Sequence, residues 1–392
     1  MNKKIPFSPP DIGEEEIKAV TEVLKSGWIT TGPKTAELET KLADYLQTGK
    51  AVTLNSNSAG LELVLKAFDI KEGDEVITTP YTYTATASAS IHRGIKPTLV
   101  DVKKDSFLID IDKIADAITP KTKAIYTVDV AGLPVDYDKV REVLKAKNRE
   151  DIIFVSDSAH SFGARYKGKM VGSQADFHVF SFHAVKNFTT AEGGALTFAN
   201  NNFRGHEDLF KEFKLESLHG QSKDALSKMK AGAWRYDIVT DGLKCNLTDI
   251  GSAIGLVQLT RYEEMLKKRK AIFDIYSKYL SEKDWAILPS KGDGSTVSSY
   301  HLYLLRIKGF GEEQRNEVIK QLAELDIATN VHYVPLPMFT FYKNLGYKIE
   351  DYPNAYAQYA NEISLPLYSL LTLEDTEYVA KELIKAVERV MK

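Results

Sequence analysis

The feature that most constrains the fold of this chain is an alternation of short apolar strands with helices. Runs of β-branched and apolar residues recur through the first half, and each is followed by a turn and a helical pattern. Such an alternation predicts a mostly parallel sheet with helices on both faces. The runs are residues 51–54, 75–79, 97–102, 124–128, 152–155 and 177–182.

The pattern changes near residue 285, where a smaller α+β unit is predicted. Strands are expected at residues 300–307 and 328–333, and helices at 312–325 and 373–390. A chain of 392 residues is longer than one hydrophobic core normally serves. We therefore predict an α/β protein with a large domain, residues 1–265, and a small C-terminal domain, residues 266–392.

A lysine, Lys186, follows the strand-like run that ends at Phe182, and two threonines, a glutamate and a glycine pair come after it. In α/β sheets, ligands bind at the carboxyl ends of the strands. A lysine amine there can form a Schiff base, and pyridoxal phosphate (PLP) is the common carbonyl cofactor that uses this chemistry. The chain has 51 lysines and arginines, most of them expected at the surface, so Lys186 alone does not establish a PLP site.

An acidic partner for this lysine is present at Asp157, which ends the apolar run that starts at residue 151. PLP requires an acid beside its pyridine nitrogen, because the protonated ring then accepts electrons. A strand-terminal aspartate can instead cap a helix or a turn. The pair of Asp157 and Lys186 is more specific than either residue alone.

A phosphate site is predicted in the polar turn at residues 55–60, between a strand and an apolar helix. The N–H groups and the dipole at a helix N-terminus attract anions, and Ser58 adds a hydroxyl group. The same residues can simply cap the helix. Together with Lys186, the turn is interpreted as a cofactor-phosphate site that contains Asn57, Ser58 and Ala59.

Two motifs resemble those of the nucleotide-sugar aminotransferases, the DegT/DnrJ/StrS group. Residues 156–164 read Ser-Asp-Ser-Ala-His-Ser-Phe-Gly-Ala, and residues 180–194 read Phe-Ser-Phe-His-Ala-Val-Lys-Asn-Phe-Thr-Thr-Ala-Glu-Gly-Gly. The resemblance runs from about Pro6 to the C-terminus. It implies the PLP-dependent transferase fold type I, with PLP as cofactor and pyridoxamine phosphate as intermediate. Dehydrases of this group carry histidine in place of the lysine, so Lys186 favours aminotransfer.

The resemblance also assigns roles in cofactor binding. Tyr83 matches an aromatic residue that stacks on the cofactor ring, although packing under a helix is the alternative. His160 matches a residue on the opposite side of the ring, with a structural histidine in a turn as the alternative, and Ser181 matches a hydroxyl group that reaches the phosphate. Lys244 of the partner subunit is expected to reach the phosphate too, with a solvated surface lysine as the alternative. The role of His183 stays open.

Substrate-binding residues are implied in three segments. Trp28 and Thr30 lie in a loop that matches one near the sugar nucleotide in the family, although helix packing is the alternative for Trp28. Glu192 belongs to the motif that contains the lysine. His332 and Tyr333 lie in a segment that resembles the substrate loop of the family, although a structural histidine is the alternative for His332. In that segment, Pro337 replaces a histidine that is usual in the family.

The implied reaction moves an amino group from L-glutamate to a keto group of a nucleotide-linked keto-deoxyhexose. Lys244 and Asn246 resemble the branch that aminates the C4 keto group of UDP-linked sugars. The resemblance further implies a homodimer with shared active sites. Two alternatives remain: an aminotransferase of a cyclitol or another small keto compound, and a PLP-binding regulator without turnover.

Composition limits the other possible functions. The net charge of −3 provides no basic surface for nucleic acid or for an anionic membrane. The single cysteine, Cys245, excludes an internal disulfide and argues against a zinc–cysteine site, and no metal site is expected. No apolar run approaches the length of a membrane span. We expect a cytoplasmic protein.

Overall fold

The computed structural model describes residues 4–198, 203, 205–222 and 234–392. The strands of its first part are β1 (Lys50–Leu54), β2 (Glu75–Thr78), β3 (Thr98–Leu99), β4 (Thr122–Val128), β5 (Ile153–Asp157), β6 (Arg165–Tyr166), β7 (Lys169–Met170), β8 (Phe177–Ser181) and β9 (Gly194–Phe198). The helices of this part are α1 (Glu14–Ser26), α2 (Pro33–Leu46), α3 (Asn57–Ala67), α4 (Thr84–Ile91), α5 (Ile111–Ala117), α6 (Tyr137–Ala146) and α7 (His206–Glu216).

Seven of these strands form one sheet in the order β1-β9-β8-β5-β4-β2-β3. The pairs from β8 to β3 are parallel, whereas β9 is antiparallel to both β1 and β8. Buried apolar residues cover both faces of the sheet and pack against the helices. The prediction of a mostly parallel sheet in an α/β protein is confirmed.

Two glycines allow the start of α3 to lie close to the middle of the sheet. A Cβ atom on Gly60 would lie 2.5 Å from a methyl carbon of Val179 on β8. A Cβ atom on Gly194 would lie 2.6 Å from the backbone carbon of Ser56 and 2.7 Å from the backbone nitrogen of Asn57. Only glycine permits such an approach, so these two positions fix where the N-terminus of α3 lies.

A second unit is built on an antiparallel sheet of β10 (Ala286–Ile287), β11 (Tyr303–Ile307) and β12 (Glu362–Leu365). Its helices are α9 (Glu312–Ala323), α10 (Thr340–Asn344), α11 (Pro353–Tyr359) and α12 (Leu373–Val390). The helix that precedes them in the chain, α8 (Asp249–Leu280), is described below. The predicted strand at residues 328–333 is wrong, because this segment forms only an isolated bridge from Asn330 to Ser364. Pro335 and Pro337 follow, and neither has an N–H group for a sheet ladder.

One long helix, α8 (Asp249–Leu280), connects the two units. Its residues up to Tyr262 pack in the core beneath the large sheet, and its residues from Ile272 onward pack in the core of the second unit. The division predicted after residue 265 therefore falls inside a continuous helix. Between the two cores, the buried guanidinium of Arg269 donates hydrogen bonds to the carbonyl groups of Tyr300, His301 and Leu367.

Candidate active site

A cavity of about 380 Å³ opens at the carboxyl ends of β5 and β8. The strand that ends at Asp157 lies directly beside the one that ends at Ser181, since Asp157 pairs with Val179. Lys186 lies on the loop that leads from β8 to β9. The structure thus brings most of the predicted residues together. The predicted residues that line the cavity are Asn57, Ser58, Tyr83, Asp157, His160, Ser181, Lys186, Glu192, His332 and Tyr333.

The amine of Lys186 is buried and has a lowered pKa. Its backbone N–H donates to the carbonyl of His183, which fixes the turn that carries it. Burial lowers the pKa of Lys186 to about 8, although the carboxylate of Asp157 opposes this shift. Within the part of the chain that the structure describes, the amine makes no hydrogen bond or ion pair. A neutral, unpaired amine is the form that attacks a carbonyl carbon.

The carboxylate of Asp157 is buried and held by three donors. Its Oδ1 accepts hydrogen bonds from the side-chain amide of Asn57 at 3.0 Å and from the backbone N–H of Ala159 at 3.2 Å. Its Oδ2 accepts from the hydroxyl of Thr86 at 2.7 Å. Burial raises the pKa of Asp157, and these hydrogen bonds partly offset the effect because they favour the ionised form.

The turn before α3 differs in detail from the predicted phosphate site. Ser56 caps the helix, because its hydroxyl accepts a hydrogen bond from the backbone N–H of Ala59. The amide donors of the Asn57 side chain are used by the carboxylate of Asp157 and the carbonyl of Val179. Ser58 is exposed and lines the cavity. In this turn, the groups that can donate a hydrogen bond to an anion are therefore the hydroxyl of Ser58 and the free backbone N–H groups at the start of α3.

His160 forms one wall of the cavity in a defined protonation state. Burial lowers its pKa well below the usual range, so the ring is neutral. Its Nδ1 accepts a hydrogen bond from the backbone N–H of Ala131 at 3.2 Å, which places the proton on Nε2. Nε2 then donates to the hydroxyl of Tyr333 at 2.9 Å. The ring of His301 lies behind it, with ring centroids 4.2 Å apart.

Tyr83 lies on the open side of the cavity. It precedes α4 directly, its side chain is 63% exposed, and its ring centroid lies 6.3 Å from that of Tyr333. An exposed aromatic ring at the mouth of a cavity is available to stack on a ligand. Packing under the helix, the alternative for Tyr83, does not occur.

A second cavity of about 570 Å³ adjoins the first. The two share Thr82, Tyr83, His332 and Tyr333 as lining residues. The second cavity adds aromatic side chains, among them Phe339 and Phe341, which are about half exposed at 46% and 52%. The site therefore extends beyond the space around Lys186.

Four predicted residues do not line either cavity: Ala59 on α3, and Trp28, Thr30 and Lys244. The last three lie in two segments that are bonded to each other. The side chain of Asn246 donates to the hydroxyl of Thr31, and the amine of Lys244 donates to Asn246. The backbone N–H of Asp249 also donates to the carbonyl of Thr30 at 3.1 Å. The two loops form one surface, and none of these three side chains lines the cavity of its own chain.

Sequence reasoning missed several residues around the cavity. Thr86 holds Asp157, His301 supports His160, and Glu362 with Ser364 holds His332. Threonine at the start of a helix and single buried polar residues in strands carry no local signal of such contacts. Their partners are distant in the sequence, so only the fold brings them together.

No group of three or more described His, Cys, Asp or Glu side chains is arranged to hold a metal ion. Among the helices that the structure describes, none combines the length and the apolar character needed to span a membrane.

The residues present fit PLP. An unpaired amine faces a cavity that also contains a hydrogen-bonded carboxylate, a neutral histidine and an exposed aromatic ring. Each is of the type that an aldehyde cofactor with a basic ring nitrogen requires. The fold and this site define a PLP-dependent enzyme of fold type I, and pyridoxamine phosphate is the second form of its cofactor.

The chain belongs to the DegT/DnrJ/EryC1/StrS aminotransferase family, whose model matches residues 10–384. It is 48% identical to the putative sugar aminotransferase Spr1654 from Streptococcus pneumoniae in its PMP-form, with a TM-score of 0.95 over 98% of this chain and 100% of that chain. Helicobacter pylori PseC, an aminotransferase involved in the biosynthesis of pseudoaminic acid, is 30% identical with a TM-score of 0.88 over 99% and 100% of the two chains.

The spore coat polysaccharide biosynthesis protein SpsC from Bacillus subtilis is a further relative. It is 37% identical over 396 residues, which cover 100% of this chain and 98% of SpsC. Membership of the family and these similarities make the protein a PLP-dependent sugar aminotransferase, an enzyme that aminates a keto group of a sugar.

Proposed function

We propose that the enzyme transfers an amino group from L-glutamate to the C4 keto group of a nucleotide-linked keto-deoxyhexose. The observation that carries this proposal is the joining of two cavities, of about 380 and 570 Å³, through Tyr83, His332 and Tyr333. The first cavity contains Lys186 and is of the size of a cofactor site. The second is a larger cavity beside it with space for the substrate, and its aromatic side chains can stack on the face of a sugar or of a nucleotide base.

The reacting groups have defined tasks in this proposal. When bound, PLP supplies an electron sink that stabilises negative charge on the substrate carbon. Lys186 moves the proton at that carbon, because an amine with a pKa of about 8 is an effective base near neutral pH. Asp157 holds a negative charge opposite the ring nitrogen, and Thr86 keeps that carboxylate ionised and oriented.

The surrounding residues are proposed to bind and orient the cofactor and the sugar. His160 and Tyr83 are proposed to lie on opposite sides of the cofactor ring. Ser58 and Ser181 are proposed to bind the phosphate, together with the backbone N–H groups of Asn57 and Ser58 at the start of α3, since the N–H of Ala59 already donates to Ser56. Glu192, His332 and Tyr333 line the cavity and are proposed to contact the sugar.

We further propose that the enzyme works as a homodimer with shared active sites. Trp28, Thr30 and Lys244 lie on one surface formed by two bonded loops, and none of them lines its own cavity. A surface of this kind can complete the site of a neighbouring subunit. In the proposed dimer, Lys244 of the partner subunit supplies a positive charge to the cofactor phosphate.

The first test is Lys186→Ala. This variant is expected to keep its fold and to lose both the yellow absorbance of the bound cofactor and all aminotransfer. Lys167→Ala is a matched control, since Lys167 is an exposed lysine paired with Asp138, and it should leave both properties unchanged. An unaltered visible spectrum in Lys186→Ala would reject the assignment of Lys186.

The substrate is tested with a panel of UDP-, dTDP- and GDP-linked 4-keto-6-deoxyhexoses, each with L-glutamate. Formation of 2-oxoglutarate together with an amino sugar supports the proposal. Turnover of a free cyclitol or of another small keto compound, but of none of the nucleotide-linked sugars, would replace it. Cofactor binding without 2-oxoglutarate formation with any substrate would indicate a regulator.

A further inference from the structure

A chain of hydrogen bonds runs from a buried carboxyl group to the wall of the active-site cavity. Glu362 on β12 is fully buried, and its Oε1 lies 2.6 Å from the hydroxyl oxygen of Ser364. The same hydroxyl oxygen lies 2.8 Å from Nδ1 of His332. The other carboxyl oxygen, Oε2, accepts a hydrogen bond from the backbone N–H of His332 at 3.0 Å. His332 lines both cavities.

The hydroxyl of Ser364 has one hydrogen and two polar neighbours, so it donates to only one of them. When Glu362 is ionised, it can only accept, and the hydroxyl must donate to it. The oxygen of Ser364 then accepts from Nδ1–H of His332. The neutral imidazole therefore has no proton on Nε2, and Nε2 is a hydrogen-bond acceptor.

Protonation of Glu362 reverses this order. The added proton belongs on Oε1, since Oε2 already accepts the N–H of His332. Oε1–H then donates to Ser364, and Ser364 donates to Nδ1 of His332. The proton of the ring must now lie on Nε2, which becomes a donor. Within the described chain, Nε2 has no hydrogen-bond partner of its own.

We propose that Glu362 and Ser364 are positioning residues that act through His332 and decide whether its Nε2 offers the substrate a hydrogen-bond donor or an acceptor. The proposal rests on the proposed contact of His332 with the sugar, whose hydroxyl and keto oxygens differ in what they need. A keto oxygen requires a donor, whereas a hydroxyl group accepts either role. Protonated Glu362 thus prepares His332 for a keto sugar.

The titration behaviour of the two groups agrees with this geometry. Burial raises the pKa of Glu362 to about 8, so the donor form of His332 prevails near neutral pH. Burial also lowers the pKa of His332 to about 4, and the nearby amine of Lys186 adds to this effect. The imidazole therefore stays neutral while Glu362 titrates, and only the position of its proton changes.

Other charged and titratable groups face this chain of hydrogen bonds. Arg315 favours the ionised form of Glu362, but its guanidinium donates to the backbone carbonyls of Tyr359 and Glu362 and not to the carboxyl group. Burial of Glu362 outweighs this attraction. The other described charged or titratable groups near Glu362 and His332 are Arg306, Tyr81, Tyr333, Lys186, His160 and His301.

The test is a nitrogen NMR titration of the holoenzyme labelled at histidine, from about pH 6 to pH 10. The resonances of His332 are assigned by their loss in His332→Gln. The expected result is a proton on Nε2 below about pH 8 and on Nδ1 above it, following the titration of Glu362. In Glu362→Gln, the amide donates to Ser364 at every pH, so Nε2 should keep its proton throughout.

Two results would overturn the inference: a tautomer of His332 that does not change over this range, or a change in Glu362→Gln at the same pH as in the natural enzyme. Ser364→Ala is a second variant that breaks the chain of hydrogen bonds, and it should abolish the pH-dependent change. Circular dichroism and cofactor absorbance show that each variant is folded and loaded. The readout does not depend on turnover, so its failure would leave the aminotransferase proposal intact.

Discussion

The contact between Gly194 and the start of α3 leads to a sharp prediction for Gly194→Ala. A Cβ atom at this position would lie 2.6 Å from the backbone carbon of Ser56 and 2.7 Å from the carbonyl oxygen of Phe180. Both neighbours are backbone atoms, so neither can rotate away as a side chain would. The substitution must therefore push α3 away from the sheet.

The size of the effect follows from these distances. To reach an ordinary contact of about 3.4 Å from 2.6 Å, the backbones must separate by about 0.8 Å. Backbone N–H donors bind an oxygen at about 2.7–3.2 Å, so such a shift should break at least one of the hydrogen bonds proposed from α3 to the cofactor phosphate. A bond to a charged group contributes about 1.5–3 kcal/mol, which predicts a tenfold to hundredfold weaker affinity for PLP.

The assay is a titration of the cofactor-free protein with PLP, followed by visible absorbance. The matched control is Gly13→Ala, because Gly13 has an extended backbone and a Cβ atom there would have its nearest neighbour at 3.6 Å. The control should bind PLP as the natural protein does. Equal affinity of Gly194→Ala and Gly13→Ala would refute the placement of the phosphate at the start of α3.

Three further predictions concern the reacting groups. Thr86→Val removes a donor that favours ionised Asp157, so the pKa of Asp157 rises further and the acidic limb of the pH–activity profile should move to higher pH. Thr86→Ser keeps the hydroxyl donor and is the control; a profile of Thr86→Val that matches that of Thr86→Ser would contradict this. Asp157→Asn should keep the bound cofactor but reduce the rate of aminotransfer at least about a hundredfold, measured in single turnovers with glutamate; a smaller loss would argue against its role at the ring nitrogen. Since burial lowers the pKa of Lys186 to about 8, the rate at which the cofactor-free protein combines with PLP should rise with pH and level off above about pH 8; a rate that rises steeply up to pH 10 would indicate an ordinary lysine.

The large sheet and the central pair of the site were predictable because they depend on local patterns. Each strand run ends in a polar residue or a turn, and parallel strands place such ends at one edge of the sheet. Asp157 and Lys186 could therefore be paired from the sequence alone. Family membership, the fold and the cofactor implied by their motifs are confirmed, whereas the individual roles of the predicted site residues stay predictions.

Other features depend on contacts between distant segments. No periodicity of α4 shows that Thr86 faces Asp157, and nothing around Glu362 indicates that the segment bridged to β12 carries His332. The segment at 328–333 has an apolar, strand-like composition, but it lies against β12 at a single bridge and continues into two prolines. Its prediction as a strand failed because tertiary packing, rather than composition, decides its conformation.

The continuity of α8 has a consequence for how the protein tolerates changes in length. One inserted residue between Tyr262 and Ile272 would turn everything that follows by about 100° and advance it by about 1.5 Å. Arg269 could then no longer reach its three carbonyl groups, and the apolar stripe of the helix would face the wrong way in the second core. Loops elsewhere can gain or lose residues, but this stretch has to keep its count, because the same helix packs in the core of each unit and so joins the one that carries Lys186 to the one that carries His332.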